Sequence, residues 1–161
     1  MATLYAQPYS IEHTGFYFDS TEAFESNMEQ LNNRGCAEVE IQFIDGDAHH
    51  PSLFRSASID QSTITLWFDE LEDLATSDAT RLCFLLDLGL SLDDALTRYN
   101  EVCLHYGTAR DYAQELIEET TEIPENLRYY IDYKAIARDM CINGETVEIE
   151  HDLIITNANA F

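Results

Sequence analysis

The sequence predicts an α+β protein built in three successive parts: an α+β segment over residues 1–60, a helical segment over 61–107 and a second α+β segment over 108–161. Three observations carry this. Aromatic and β-branched residues cluster in short strand-like runs near both ends. Through the middle, apolar residues recur at helical spacing, with capping residues ahead of the runs and glycines behind them. No linker, internal repeat or low-complexity stretch interrupts the chain. With 161 residues and 45% hydrophobic content, it has room for one domain, or two or three small ones, with enough apolar residues to bury a core.

The first part opens with "TLYAQ" and "GFYFD", both rich in aromatic and β-branched residues and both predicted strands. Asp19 with Glu22 is a capping pair for a helix running to about Asn32, with Gly35 just beyond its end. In "AEVEIQF", Ala37, Val39, Ile41 and Phe43 alternate with Glu38, Glu40 and Gln42, which predicts a half-buried strand with an acidic outer face. "DGD" follows as a turn.

In the second part, "STITLWFDELEDL" places Ile64, Trp67, Phe68 and Leu71 at helical spacing, with Asp69, Glu70, Glu72 and Asp73 elsewhere around the wheel. Ser77 starts a second helix that Gly89 ends. Ser91 with Asp94 opens a third, whose apolar stripe runs through Leu92, Ala95, Leu96, Tyr99, Val102, Cys103 and Tyr106 to a stop at Gly107. Short helices with short connections predict a small bundle.

Thr108 with Asp111 opens the third part and its most charged stretch. "RDYAQELIEETTEIPENL", residues 110–127, holds six carboxylates and one arginine. At about 100° per residue, Asp111, Glu115, Glu118 and Glu122 fall within an arc of roughly 60°, with Glu119 beside them. Tyr112, Ala113, Leu116, Ile117 and Thr120 face the other way. Helix stability does not explain this stripe. Like charges at i,i+4 cost about 0.2–0.5 kcal/mol per pair, and the later glutamates face the negative end of the helix dipole. A solvated face of an acidic protein is the plain alternative. Pro124 stands at a first helical position, "NG" at Asn143–Gly144 signals a hairpin, and "ETVEIEHDLIIT" reads as strand.

Charge narrows the function classes. The chain carries 31 acids against eight bases, a net charge of −23, and Lys134 is its one lysine. Fifteen acids lie in residues 1–80 and sixteen in 81–161, so the charge covers the folded body and is not a tail. Such a surface repels nucleic acid and anionic membranes and favours a cationic partner. Halophilic adaptation gives a similar composition. The N-terminus lacks the basic and apolar regions of a signal peptide, and no run is long enough to span a membrane. Cys36, Cys83, Cys103 and Cys141 form no CxxC pair and read as buried thiols of a reducing cytoplasm.

No catalytic signature emerges, and the chain reads as a non-enzyme without cofactor or metal. Among 31 acids, close carboxylate pairs carry no information. "DGDAHH", Asp45 to His50, juxtaposes carboxylates and imidazoles, but adjacent histidines point apart on an extended chain, and a polar surface loop is the better reading. His13, His105 and His151 have no nucleophile partner in sequence. Phosphate loops, serine elbows and zinc patterns are absent. What remains is binding. Carboxylates at i and i+4 lie about 6 Å apart along a helix. Backbone phosphates form a comparable array with about 3.4 Å of rise per nucleotide. Asp111, Glu115, Glu118, Glu119 and Glu122, with Glu70, Asp73, Glu38 and Glu40, are the candidate phosphate surrogates.

At "IPENLRYYIDYKAIARDM" the sequence resembles the antirestriction motif of the ArdA family, carried by conjugative plasmids, transposons and phages. The matching positions are Pro124, Leu127, Tyr130, Ile131, Asp132, Tyr133, Ala135, Ile136, Arg138, Asp139 and Met140. "ARDYAQELIEET", "YAQPY" and "GFYFD" are similar to the family's preceding helix and N-terminal strands. Ala137 departs from a common glycine and Ile136 from a common tyrosine, and no "HDYEGF"-like stretch follows "IQFIDGD". The resemblance implies a non-catalytic DNA mimic, elongated and curved, with three small domains and a dimer formed through the C-terminal region. It also implies a partner: the dimer occupies the DNA groove of type I restriction–modification enzymes, blocking cleavage and often methylation. Within the motif, packing and subunit pairing is the favoured role over direct contact with the enzyme. Four of the eight bases follow residue 109, which suits self-association. A different basic DNA-binding target, or a halophilic acidic scaffold, are the competing readings.

Overall fold

The structure is a computed structural model describing residues 1–161. It is mixed α+β, with seven helices and two small antiparallel sheets. The chain falls into two compact units, Met1–Thr97 and Arg98–Phe161.

In the first unit, strand β1 (Thr3–Pro8) lies between β2 (Phe16–Phe18) and β3 (Val39–Asp45). Alternation decides the faces. Leu4, Ala6, Val39 and Ile41 are buried, whereas Glu40 and Gln42 are exposed. Strand β3 starts two residues later than predicted, and Ala37 is exposed. Helix α1 (Thr21–Asn32) buries Phe24, Met28 and Leu31, with the Phe24 ring 4.9 Å from that of Phe18. Its cap is Ser20, one residue after the predicted Asp19. Ser20 is the residue in extended conformation, and its hydroxyl accepts from the Ala23 N–H at 3.3 Å.

The predicted surface loop at "DGDAHH" ends inside the core. His50 is fully buried at the start of α2 (His50–Ser56), a helix that sequence periodicity misses. Its Nδ1 accepts from the Asp47 N–H at 3.1 Å, so Nε2 carries the hydrogen and donates to the Glu72 carbonyl at 2.9 Å. The imidazole thus pairs two backbone groups 25 residues apart in sequence. It packs edge-on against Trp67, itself fully buried and touching Phe43 and Phe54.

"STITLWFDELEDL" is helical, but as a short α3 (Ile64–Leu66) that widens into a π turn over Trp67–Leu71. Helix α4 (Thr76–Asp87) ends at Gly89 as predicted. Gly89 has φ +96°, and the N–H groups of Gly89 and Leu90 return to the carbonyls of Leu86 and Leu85. The third predicted helix is corrected. Helix α5 spans only Leu92–Arg98, a 3-10 turn follows, and Leu104–Tyr106 is strand β4.

In the second unit, β4 pairs with β6 (Leu153–Ile155), which pairs with β5 (Val147–Glu150). "ETVEIEHDLIIT" is therefore a hairpin turning at His151–Asp152, not one strand. The "NG" pair ends helix α7 (Tyr133–Ile142) instead of turning a hairpin. Gly144 has φ +75°, and Gly144 and Glu145 donate to the carbonyls of Cys141 and Met140. Helix α6 (Ala109–Thr120) packs on α7 through Ala109, Ala113 and Ala137, whose small side chains permit close approach, and all three share a core with Ile154. Pro124 does not open a helix. It starts a turn in which the Leu127 N–H donates to its carbonyl, and α7 begins after Asp132, whose carboxylate accepts from the Ala135 N–H.

All four cysteines are free. Cys36 is buried, Cys83 and Cys141 are half-buried and Cys103 is exposed, which corrects the expectation of burial for the last. No helix is long and apolar enough to cross a membrane. Replacing His50→Leu fills the space but orphans the Asp47 N–H and the Glu72 carbonyl. Urea unfolding is expected to show a loss of about 2–4 kcal/mol.

Candidate functional site

The acidic helix begins with a capping box. The Thr108 hydroxyl accepts from the Asp111 N–H at 3.2 Å, and the Asp111 carboxylate accepts from both the hydroxyl and the N–H of Thr108. These contacts hold the Asp111 carboxyl below the usual carboxylate range, the Thr108 hydroxyl most of all, with Arg110 and His105 adding smaller attractions. The first member of the stripe therefore also builds its helix.

The next residues are freer. Glu115 is exposed, its carboxylate 3.7 Å from His105 Nδ1. Glu118 accepts from Gln114 at 3.1 Å and from the Tyr133 hydroxyl at 3.4 Å. Burial first, and Glu118 second, push the Tyr133 hydroxyl above its ordinary value. Glu119 is exposed on the last turn. Glu122 is not on the helix, because the chain turns extended at Thr121 (φ −133°, ψ 127°). It lines a shallow hollow with Glu118, Glu119, Pro124 and Arg128. The structure thus places Asp111, Glu115, Glu118 and Glu119 on one helix and Glu122 beside its end.

The other four candidates lie in the first unit. Glu70 is exposed on the π turn and Asp73 just beyond it. Glu40 is exposed on β3 and Glu38 just before that strand. Four of the eight bases form local pairs. Arg81 pairs with Asp78, Arg98 with Glu101, Arg110 with Asp111 and Arg138 with Asp139, each within three residues in sequence. Glu38, Glu40, Glu70, Asp73, Glu118, Glu119 and Glu122 have no ion-pair partner. Their charge stands uncompensated in water.

The motif residues divide into two sets. Asp132 caps α7, and Tyr133, 8% exposed, anchors it against Glu118. Leu127 and Tyr130 are 50% and 84% exposed, on the turn that leads into α7. Pro124 is exposed, Ile131 half-buried, and Arg138 and Asp139 pair on the solvent side of α7. Tyr129, 92% exposed, belongs with Leu127 and Tyr130, and the helix read from Pro124 left it without a signal in the sequence.

The model of the family described as antirestriction protein (ArdA) matches residues 10–154. The chain belongs to the ArdA antirestriction family. Membership carries antirestriction function, and with it interaction with restriction–modification enzymes. No curated protein matches the sequence. In this ArdA protein the matched region contains all nine acidic candidates and the whole motif.

Asp111 has a depressed folded-state value, so its stabilisation is present above the usual carboxylate range and is lost as pH falls through the lowered value. Thr108→Ala is expected to move the Asp111 titration upward in a carboxyl NMR experiment. The variant's melting temperature should fall at neutral pH, with a deficit that narrows under acid.

Proposed function

We propose that this ArdA protein is a non-catalytic mimic of B-form DNA that occupies the DNA groove of type I restriction–modification enzymes and blocks cleavage and methylation. Asp111, Glu115, Glu118, Glu119 and Glu122, with Glu70, Asp73, Glu38 and Glu40, take the place of phosphates. The observation that carries this reading is the uncompensated charge: seven of those carboxylates are exposed with no ion-pair partner, while the arginines that do pair are held by near neighbours. A basic groove that gains affinity by releasing counterions from phosphate gains it from such a surface in the same way. The mimic works in the cytoplasm and needs no cofactor.

The proposal includes a homodimer formed through the C-terminal region. Leu127, Tyr129 and Tyr130 crowd one exposed turn, and over residues 124–140 Arg128, Lys134 and Arg138 balance Glu125, Asp132 and Asp139, so exposed apolar area and near-zero local charge coincide there. Elsewhere two copies repel.

Competition with labelled duplex on a type I enzyme tests the mimicry. Displacement near stoichiometric protein, weaker at high salt, is expected. Single carboxylate-to-amide changes should shift half-inhibition by less than about fivefold. Joint replacement of Glu115, Glu118, Glu119 and Glu122 by glutamine should weaken inhibition progressively. Abolition by one of these changes, with the fold intact, overturns distributed mimicry. Failure to displace duplex points to another basic DNA-binding target, and a fold that requires molar salt points to a halophilic scaffold. For the dimer, Tyr130→Asp is expected to shift sedimentation from dimer to monomer without loss of helicity.

A further inference from the structure

The outer face of the first sheet is a second kind of surface, and phosphate mimicry does not account for it. The register sets Tyr5 beside Tyr17 on one side and Gln42 on the other, with Gln7 beside Glu40. The Tyr5 and Tyr17 rings lie 4.7 Å apart, inclined at 53°. Tyr5 is locked in place: its ring lies against Gly15 so closely that a Cβ there would overlap it. Tyr17 leans on that fixed ring yet remains 65% exposed. No base is contributed by the outward positions of the three strands, while Glu40 lies among them and Glu38 and Asp45 flank them.

We propose that this sheet face is an arginine platform: the Tyr5–Tyr17 pair stacks the guanidinium plane of an arginine from a basic protein partner, and the surrounding carboxylates attract its charge. Charge complementarity commits the face to a cationic occupant. Two held aromatic rings select arginine over lysine, because guanidinium is planar and weakly hydrated and keeps its hydrogen bonds while stacked, whereas ammonium is a compact, strongly hydrated charge. The chain makes such a contact within itself, with the Arg98 guanidinium 4.9 Å from the Phe161 ring centre. The platform deepens the proposed mimicry and rests on it for the identity of the partner. It supplies short-range discrimination, which phosphate-like charge lacks.

The test needs no restriction enzyme, so it fails separately from the mimicry itself. The full-length protein is titrated with alternating arginine–glycine and lysine–glycine peptides of equal length and charge, at matched ionic strength. The wild-type protein is expected to bind the arginine peptide about two- to fivefold more tightly, with shifts in the Tyr5 and Tyr17 ring resonances. Tyr17→Ala should erase the preference without changing lysine-peptide binding, and Tyr17→Phe should keep it. If Tyr17→Ala fails to fold, the ring shifts in the wild-type protein decide. Equal affinities for the two peptides, a preference that survives Tyr17→Ala, or unmoved ring resonances overturn the platform. So does a Tyr17→Ala variant whose only change is oligomeric state, since the face would then seat a second copy.

Discussion

Self-repulsion is the constraint on which the rest of this structure depends. A net charge of −23 on 161 residues opposes compaction, and eight bases are too few to neutralise it. The chain responds by keeping its carboxylates out of the core. Thr146 and His50 are the only polar residues among the fully buried set, and no acid joins them. Bases spent on local pairs relieve repulsion where acids are adjacent in sequence and leave the exposed rows anionic. A surface of this kind costs stability that burial, capping and packing must offset.

Those offsets are visible where the charge is densest. Helix α6 carries like charges at i,i+4 and glutamates near its negative end, both unfavourable. Against them stand a reciprocal capping box at Thr108–Asp111 and a close alanine contact with α7. Ala137 is 6% exposed in that contact, so a methyl group is accommodated between the helices. Asp111 shows how tightly the two demands are joined, because one carboxylate both caps the helix and begins its acidic row.

The motif segment is similarly economical. Asp132 and Tyr133 start and anchor α7, while Leu127, Tyr129 and Tyr130 stay in solvent on the turn before it. A run of residues that reads as one motif thus separates into a part that starts and anchors the helix and a part that is exposed. Exposed tyrosines suit contact surfaces because they bring large apolar area at low entropic cost and retain a polar tip.

What the sequence determined by itself was local. The Thr108–Asp111 box, the stop at Gly89 and the outward Glu40 and Gln42 of β3 all depend on neighbours within about four residues, and each is found as read. The exposure of the acidic row follows from the cost of burying charge, which composition alone imposes. Tertiary structure decided the rest. His50 is buried because a carbonyl 22 residues away waits for its Nε2 hydrogen, and no spacing rule encodes that pairing. Residues 104–106 continue a helical apolar stripe yet form a strand, because β6 offers them backbone partners about 50 residues downstream. In Asn143–Gly144 only the glycine takes the left-handed conformation, while Asn143 stays helical, so the pair closes α7 instead of turning a hairpin. Local preferences are worth tenths of a kcal/mol up to about 1 kcal/mol per residue, so a ladder of distant hydrogen bonds and a buried apolar face override them.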